Sequence, residues 1–178
     1  MTQTIRPATP EDARAIAAIY APIVASTWIS FEDVPPDEAE IARRISTIGA
    51  RYPYLCCVRD DVVVGYGYAS AHRERAAYRW SVDVSVYVDA VHRRKGVARS
   101  LYDRLLSLAA ELGYYTAFAG IALPNDASVA FHRSLGFTDV GIYRNVGYKL
   151  GAWHDTLWLQ RPLRTIDGPP KDPHQLTT

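Results

Sequence analysis

Between Tyr78 and Gly113 the sequence changes its period once, and that change limits the folds open to it. "YRWSVDVSVYV" is rich in β-branched and aromatic residues and reads as one strand from Tyr78 to Val88. After a turn carrying His92, Arg93, Arg94 and Lys95, the residues Leu101, Leu105, Leu108 and Leu112 recur at helical spacing until Gly113. A strand that passes through a single glycine, Gly96, into an amphipathic helix is the building unit of a domain mixing helix and sheet.

The rest of the chain supplies the partners of that unit. A short strand in "IRPA" leads to a helix with Thr9 as N-cap, Pro10 at the first helical position, and Ile16, Ile19, Tyr20 and Ile23 on one face. "PPDEAEIARRISTI" gives a second helix with the stripe Ile41, Ile45 and Ile48, and "STWISFEDV" connects the two. Tyr54 to Val58 and Val62 to Ala69, joined by Asp60-Asp61, form a hairpin. "YTAFAGIAL" reads as a strand, "SVAFHRSLGF" as a short helix closed by Gly136, and the stretch from Asp139 to Leu163 as two more strands. Residues 1–163 make one domain; 164–178, polar and proline-rich, make an extended or disordered tail.

Twenty basic against nineteen acidic side chains leave a net charge of +1, so no nucleic-acid-coating face is expected and any polyanion contact is local. The first twenty residues hold scattered charges and no continuous apolar run; no signal peptide or membrane span is expected, and a cytoplasmic location is the default. Cys56 and Cys57 are adjacent in a strand, point to opposite faces and read as reduced core residues. The five histidines show no ligand spacing, and no metal is expected.

The charge in "VHRRKGVARSLYDRLL" therefore has a compact purpose. A helix start offers unpaired N–H groups and a positive dipole end, and Gly96 lets the backbone approach a phosphate. The P-loop pattern is absent, and "GYGYAS" lacks the third glycine and the following helix of a dinucleotide fingerprint. What is present is Arg93-Arg94-Lys95-Gly96-Val97-Ala98, an R-x-x-G-x-A run, with "LPNDASVAFHRSLGF" downstream supplying Asn125, a short helix and Gly136-Phe137. In these two segments the chain resembles the GCN5-related N-acetyltransferase (GNAT) superfamily. "VSVYV", "LPNDAS" and "GAWHD" are similar to its phosphinothricin N-acetyltransferase branch.

The resemblance covers residue 4 to about 163. It implies an α/β (α+β) fold, with a mixed, mostly antiparallel sheet of about seven strands flanked by about four helices. It also implies acetyl-CoA as co-substrate, a small-molecule amine as partner, and a homodimer. Arg93, Arg94, Lys95, Gly96, Val97, Ala98 and Arg99 then form the pyrophosphate loop, with Ala98 where glycine is commoner. Val86, Tyr87 and Val88 present main-chain groups to the pantetheine arm from a bulged strand end, and Asn125 and Ser128 complete the cofactor site. Asp83 is the base, one methylene shorter than the Glu of the branch, which points to a bridging water or a different substrate depth. His132 assists the leaving thiolate as acid, base helper or proton relay, and Tyr102 is a second donor.

For the acceptor, Arg73 and Arg75 offer paired N–H donors to a carboxylate or phosphinate, and Phe31, Trp28 and Tyr78 line the side-chain slot. The activity implied is direct acetyl transfer to the amine of a small amino acid or analogue. Two alternatives stand beside it: an acceptor of another kind (polyamine, aminoglycoside, protein N-terminus), and a non-catalytic acyl-CoA sensor.

Overall fold

A computed structural model describes residues 3–174. The hairpin expected around Asp60-Asp61 forms because both aspartates take positive φ, 46° and 65°, as the tightest two-residue turn requires. It joins β2 (Tyr54–Arg59) to β3 (Val62–Ala71), and β1 (Gln3–Pro7) pairs antiparallel with β2. Helices α1 (Ala13–Ser26) and α2 (Glu38–Gly49) lie between β1 and β2 in the chain. Then follow β4 (Ser81–Val88), α3 (Val97–Glu111), β5 (Thr116–Ala122), α4 (Asp126–Ser134), β6 (Thr138–Lys149) and β7 (Ala152–Pro162). The seven strands form one sheet in the order β1-β2-β3-β4-β5-β7-β6, in which only β4 and β5 are parallel.

Two expectations about β4 are corrected. It begins at Ser81, not Tyr78: its pairing with β3 starts at Ala71–Val82 and with β5 at Ser81–Thr116, so residues further back have no strand beside them. Ala76–Tyr78 turn instead as a short 3-10 segment. The strand end is also not bulged against β3, since the register runs unshifted from Ala71–Val82 to Gly65–Val88; the register shifts lie between β2 and β3, at Cys57/Val58, and between β6 and β7, at Asp139/Gly141 and Tyr143/Gly147.

The sheet has a core on each face. Against one, α3 packs Val97, Leu101, Tyr102, Leu105 and Leu106 with Val129 of α4. Against the other, α1 and α2 pack Ile16, Ile19, Tyr20, Ile23, Ile41 and Ile45 on Tyr54 and Tyr66. Cys57 joins the first core, while Cys56 faces Asp12 at the start of α1, its thiol 3.8 Å from the carboxylate, so the adjacent cysteines do face opposite ways. Residues 164–174 form no helix or strand; residues 1–2 and 175–178, the ends of the expected domain and tail, lie outside the described residues.

Candidate active site

The site is built where the sheet divides. β5 pairs with β7 along all of Thr116–Ala122, and β4 with β3 from Val82 to Val88, but β4 and β5 share only three pairs: Ser81–Thr116, Val82–Ala117 and Asp83–Phe118. Beyond Asp83 the two strands part. Val84 to Tyr87 line one wall of the resulting fork and Ala119 to Ala122 the other, with Tyr102, Ser128 and His132 closing it from the α3/α4 side. The edge of β4 after Asp83 therefore offers main-chain donors and acceptors with no strand beside them, a place for an extended polar chain to pair.

On the α3/α4 face, Val86, Val88, His92, Arg93, Arg94, Gly96, Val97, Ala98, Arg99 and Ser128 surround one cleft. Arg94 and Gly96 both take positive φ, 58° and 82°, the left-handed backbone from which anion-binding nests are built. Gly96 is the N-cap of α3, and a Cβ built there would have nothing within 4 Å: the space in front of the glycine is open. Lys95 does not line this cleft; its carbonyl accepts a 2.6 Å hydrogen bond from Arg59 Nη2, which ties the turn to β2 from outside. Asn125 caps α4 through its Oδ1, which accepts from the Ser128 N–H at 3.2 Å. The Tyr87 ring points the other way, against Tyr20 and Tyr66, and burial drives its hydroxyl pKa well upward.

Inside the fork His132 is 5% exposed, and burial lowers its pKa. Its Nδ1 lies 2.8 Å from the Ser128 carbonyl, which can only accept, so Nδ1 carries the proton of the neutral ring. Nε2 is then the acceptor for the hydroxyl of Tyr102, 3.1 Å away. Tyr102 is fully buried, stacked on Phe131 and Phe137, and its pKa is pushed far up by desolvation. The two donors named separately from the sequence thus form one hydrogen-bonded pair.

On the opposite face, Ile29, Phe31, Asp83, Ser85, Gly120, Tyr143, Val146, Thr156 and Trp158 enclose a second cleft that reaches the fork at Ser85 and Gly120. Burial raises the Asp83 pKa, opposed by the hydrogen bond and charge of His72 and by the charge of Arg73. His72 Nδ1 is 2.6 Å from Asp83 Oδ1. Arg73 lies beside this cleft with its guanidinium 5.5 Å from the centre of the Trp158 ring, donating to the His72 carbonyl. Arg75 caps the Ala76–Tyr78 turn and lines neither cleft; Tyr78 packs its edge on His72. Trp28 stacks on His154 and donates to the Pro124 carbonyl, leaving Ile29 and Phe31 as the residues of that loop that face the cleft.

A fork in a mixed sheet, an anion cradle on one side and a carboxylate on the other agree with the comparisons to known proteins. The family model for the acetyltransferase (GNAT) domain matches residues 5–158. The chain belongs to the GNAT acetyltransferase family. It is 36% identical over 97% of its length to the phosphinothricin N-acetyltransferase of Streptomyces viridochromogenes, covering 94% of that protein. It is likewise 36% identical, over 90% of its length and 94% of the relative, to the L-methionine sulfoximine/L-methionine sulfone acetyltransferase of Salmonella typhimurium. Among solved structures, a phosphinothricin acetyltransferase from Sinorhizobium meliloti in complex with AcCoA superimposes with a TM-score of 0.86 at 41% identity, covering 91% of this chain and 89% of that one.

The residues present fit the coenzyme A of a GNAT acetyltransferase: open space lies before Gly96 at the start of α3, with Arg93, Arg94 and Arg99 around it. No group of three or more His, Cys, Asp or Glu side chains able to hold a metal occurs among the described residues. The sequence reading missed Ile29, Ser85, Gly120, Tyr143, Val146, Thr156 and Trp158, which come from four separate strands and a loop and carry no local pattern. It also missed His72, whose only signal was a histidine in the same segment as Arg73 and Arg75.

Proposed function

We propose that this GNAT enzyme transfers the acetyl group of acetyl-CoA directly to the amine of a small amino acid or amino-acid analogue, of the phosphinothricin or methionine sulfoximine/sulfone type. The observation that carries the reading is the fork: a half-buried carboxylate on the acceptor side meets, at Ser85 and Gly120, a passage that continues to the anion cradle. The family and the names of its relatives support the acceptor class.

Acetyl-CoA supplies the acetyl group already activated as a thioester. Gly96 and the first turn of α3 hold the pyrophosphate, and the open edge from Val84 to Val88 orients the pantetheine arm. Asp83 takes the proton of the acceptor ammonium; its raised pKa brings the carboxylate closer to the basicity that this transfer needs at neutral pH. Tyr102 and His132 hold a proton in the fork where the thiolate departs. Arg73, at the mouth of the acceptor cleft, answers the acceptor's own carboxylate, and Phe31 and Trp158 hold its apolar part. The exposed apolar side chains of β6 and β7, Ile142, Tyr148 and Trp153 among them, support a homodimer, and the need for acetyl-CoA with two unpaired cysteines supports a cytoplasmic site of action.

A thiol-release assay with acetyl-CoA and a panel of amino-acid analogues, polyamines and aminoglycosides tests the reading. Release only with the amino-acid analogues is expected, and Asp83→Asn should slow it by roughly 100-fold, the usual worth of a general base. Cofactor binding without thiol release across the panel would overturn it.

A further inference from the structure

Asp83 is not alone in the acceptor cleft. In the β3–β4 ladder Ser70 stands opposite Asp83, so the side chain two residues on from Ser70, that of His72, falls on the same face as the carboxylate. The pair meets at 2.6 Å, Nδ1 to Oδ1. The imidazole is fixed from three sides: stacked on Phe118 with ring centres 4.1 Å apart, edge-on to Trp158 at 5.9 Å and edge-on to Tyr78 at 6.0 Å. Phe118 is itself the β5 partner of Asp83 at the last rung before the fork. Asp83 faces the cleft that reaches the fork, whereas His72 borders a neighbouring cleft with Arg73, Val140, Ile142 and Tyr143 that opens beside it.

We propose that His72 and Asp83 act as a dyad, in which Asp83 receives the acceptor's proton and His72, donating its Nδ1–H to Oδ1, orients the carboxylate and favours its ionised form. This rests on the acetyl-transfer reading and adds a residue to it. The acceptor ammonium loses one proton to the dyad, an N–H bond breaking as the dyad gains one. Its nitrogen then forms the C–N bond while the C–S bond breaks. The second proton leaves the nitrogen and the thiolate gains one, so the sum is one amide, one free thiol and one proton that Asp83 returns to solvent. His72 touches Asp83 and not the fork, which makes it a positioning residue. The other ionisable groups near the pair are Arg73, whose charge also acts on Asp83, and the hydroxyls of Tyr68, Tyr78 and Tyr143. An aspartate with a histidine behind it also accounts for a carboxylate one methylene short: the imidazole holds it in place.

The test uses the full-length protein with His72→Phe, which keeps a ring on Phe118. For the wild type, the pH profile of kcat/KM should show an acidic limb set by the dyad. In His72→Phe that limb should move to higher pH, because Asp83 loses the partner that offsets its burial, and the optimum rate should fall roughly tenfold, less than the roughly 100-fold worth of the base itself because His72 acts through Asp83. The KM for acetyl-CoA should not change. A merely structural histidine would lower the melting temperature and the rate without moving the limb, and an unmoved limb overturns the proposal. A second measurement is independent of turnover: imidazole 1H–15N correlation spectra near pH 8 should show a proton on His72 Nδ1 in the wild type and its loss in Asp83→Ala. A His72 Nδ1 without a proton, or one indifferent to Asp83→Ala, overturns the dyad, whereas failure of the whole acceptor panel would remove the acetyl-transfer reading and leave this result standing.

Discussion

Asp83 is held in the fold at a cost that its ionisation makes measurable. Its folded pKa lies above the 3.8 of a free aspartate because burial outweighs the help of His72 and Arg73. A carboxyl with a raised folded pKa favours the native state when protonated, so stability falls as pH climbs from 3.8 through the folded value and the penalty is complete at neutral pH. Asp83→Asn should therefore be more stable than the wild type to urea at pH 7, with the difference closing as pH approaches the unfolded value, while its turnover collapses. Lys149 presents the opposite balance. It is 6% exposed and donates 2.7 Å hydrogen bonds to the carbonyls of Val24, Ser30 and Glu32, so one ammonium from β6 fastens the end of α1 to the loop that carries Ile29 and Phe31. Lys149→Met fills the same volume and strands three carbonyls. With charged hydrogen bonds worth about 1.5–3 kcal/mol each, partly offset by the relief of burying an ammonium, the loss should be about 2–4 kcal/mol in a denaturant titration, with a raised acceptor KM and unchanged acetyl-CoA affinity.

At the scale of elements, the acceptor cleft depends on how closely β6 approaches the loop after α1. A Cβ placed on Gly147 would strike the Phe31 ring, with Cδ2 only 2.8 Å away and two further ring atoms nearer still. Glycine there is a matter of space: the Phe31 ring fills the volume a Cβ would need, and Phe31 also lines the cleft. Gly147→Ala should push Phe31 into the acceptor site. Overpacking of this kind costs about 1–3 kcal/mol, or about 5- to 150-fold in acceptor KM, and acetyl-CoA binding measured by calorimetry should be unaffected. The contrast with Gly96 shows what was legible in the sequence. Gly96 sits between a period-2 run and a period-3.6 run, so its place at the start of α3 was readable from its neighbours; its left-handed backbone and the capping of α4 by Asn125 came with the structure. Gly147 and His72 owe their roles to residues 116 and 11 positions away, and only the folded register brings them together. The β4 start was misread for the same reason: Tyr78 to Trp80 have strand-like composition, but a strand ends where its partners end.

For the whole molecule, local periods gave the order of all seven strands and four helices, because each element shows its own period and its own stop signals. They could not show that the parallel β4–β5 pair opens after three rungs, which depends on β3 and β7 drawing the two strands in different directions. The tail is the other feature that depends on long-range contacts. From Arg164 onward it crosses the end of α3 and the start of β4: the His174 N–H donates to the Leu112 carbonyl at 2.8 Å, and Trp80 Nε1 donates to the Lys171 carbonyl at 2.8 Å. Arg79 meets Asp172 at 3.2 Å, and Arg164 lies over Tyr115. Two hydrogen bonds worth about 0.5–1.5 kcal/mol each and an exposed ion pair worth about 0–1 hold the segment, and the entropy of ordering it offsets most of that, so its removal should cost no more than about 1 kcal/mol. Ending the chain after Leu163 should then lower the melting temperature by no more than about 2–4 °C, the usual shift per kcal/mol for a chain of this size. Acetyl transfer should persist, because the tail's contacts lie at the base of β4 and the chemistry lies past Asp83. A drop beyond about 10 °C, or loss of thiol release in a folded truncated chain, would mean that the tail holds β4 and β5 in the alignment from which the fork opens.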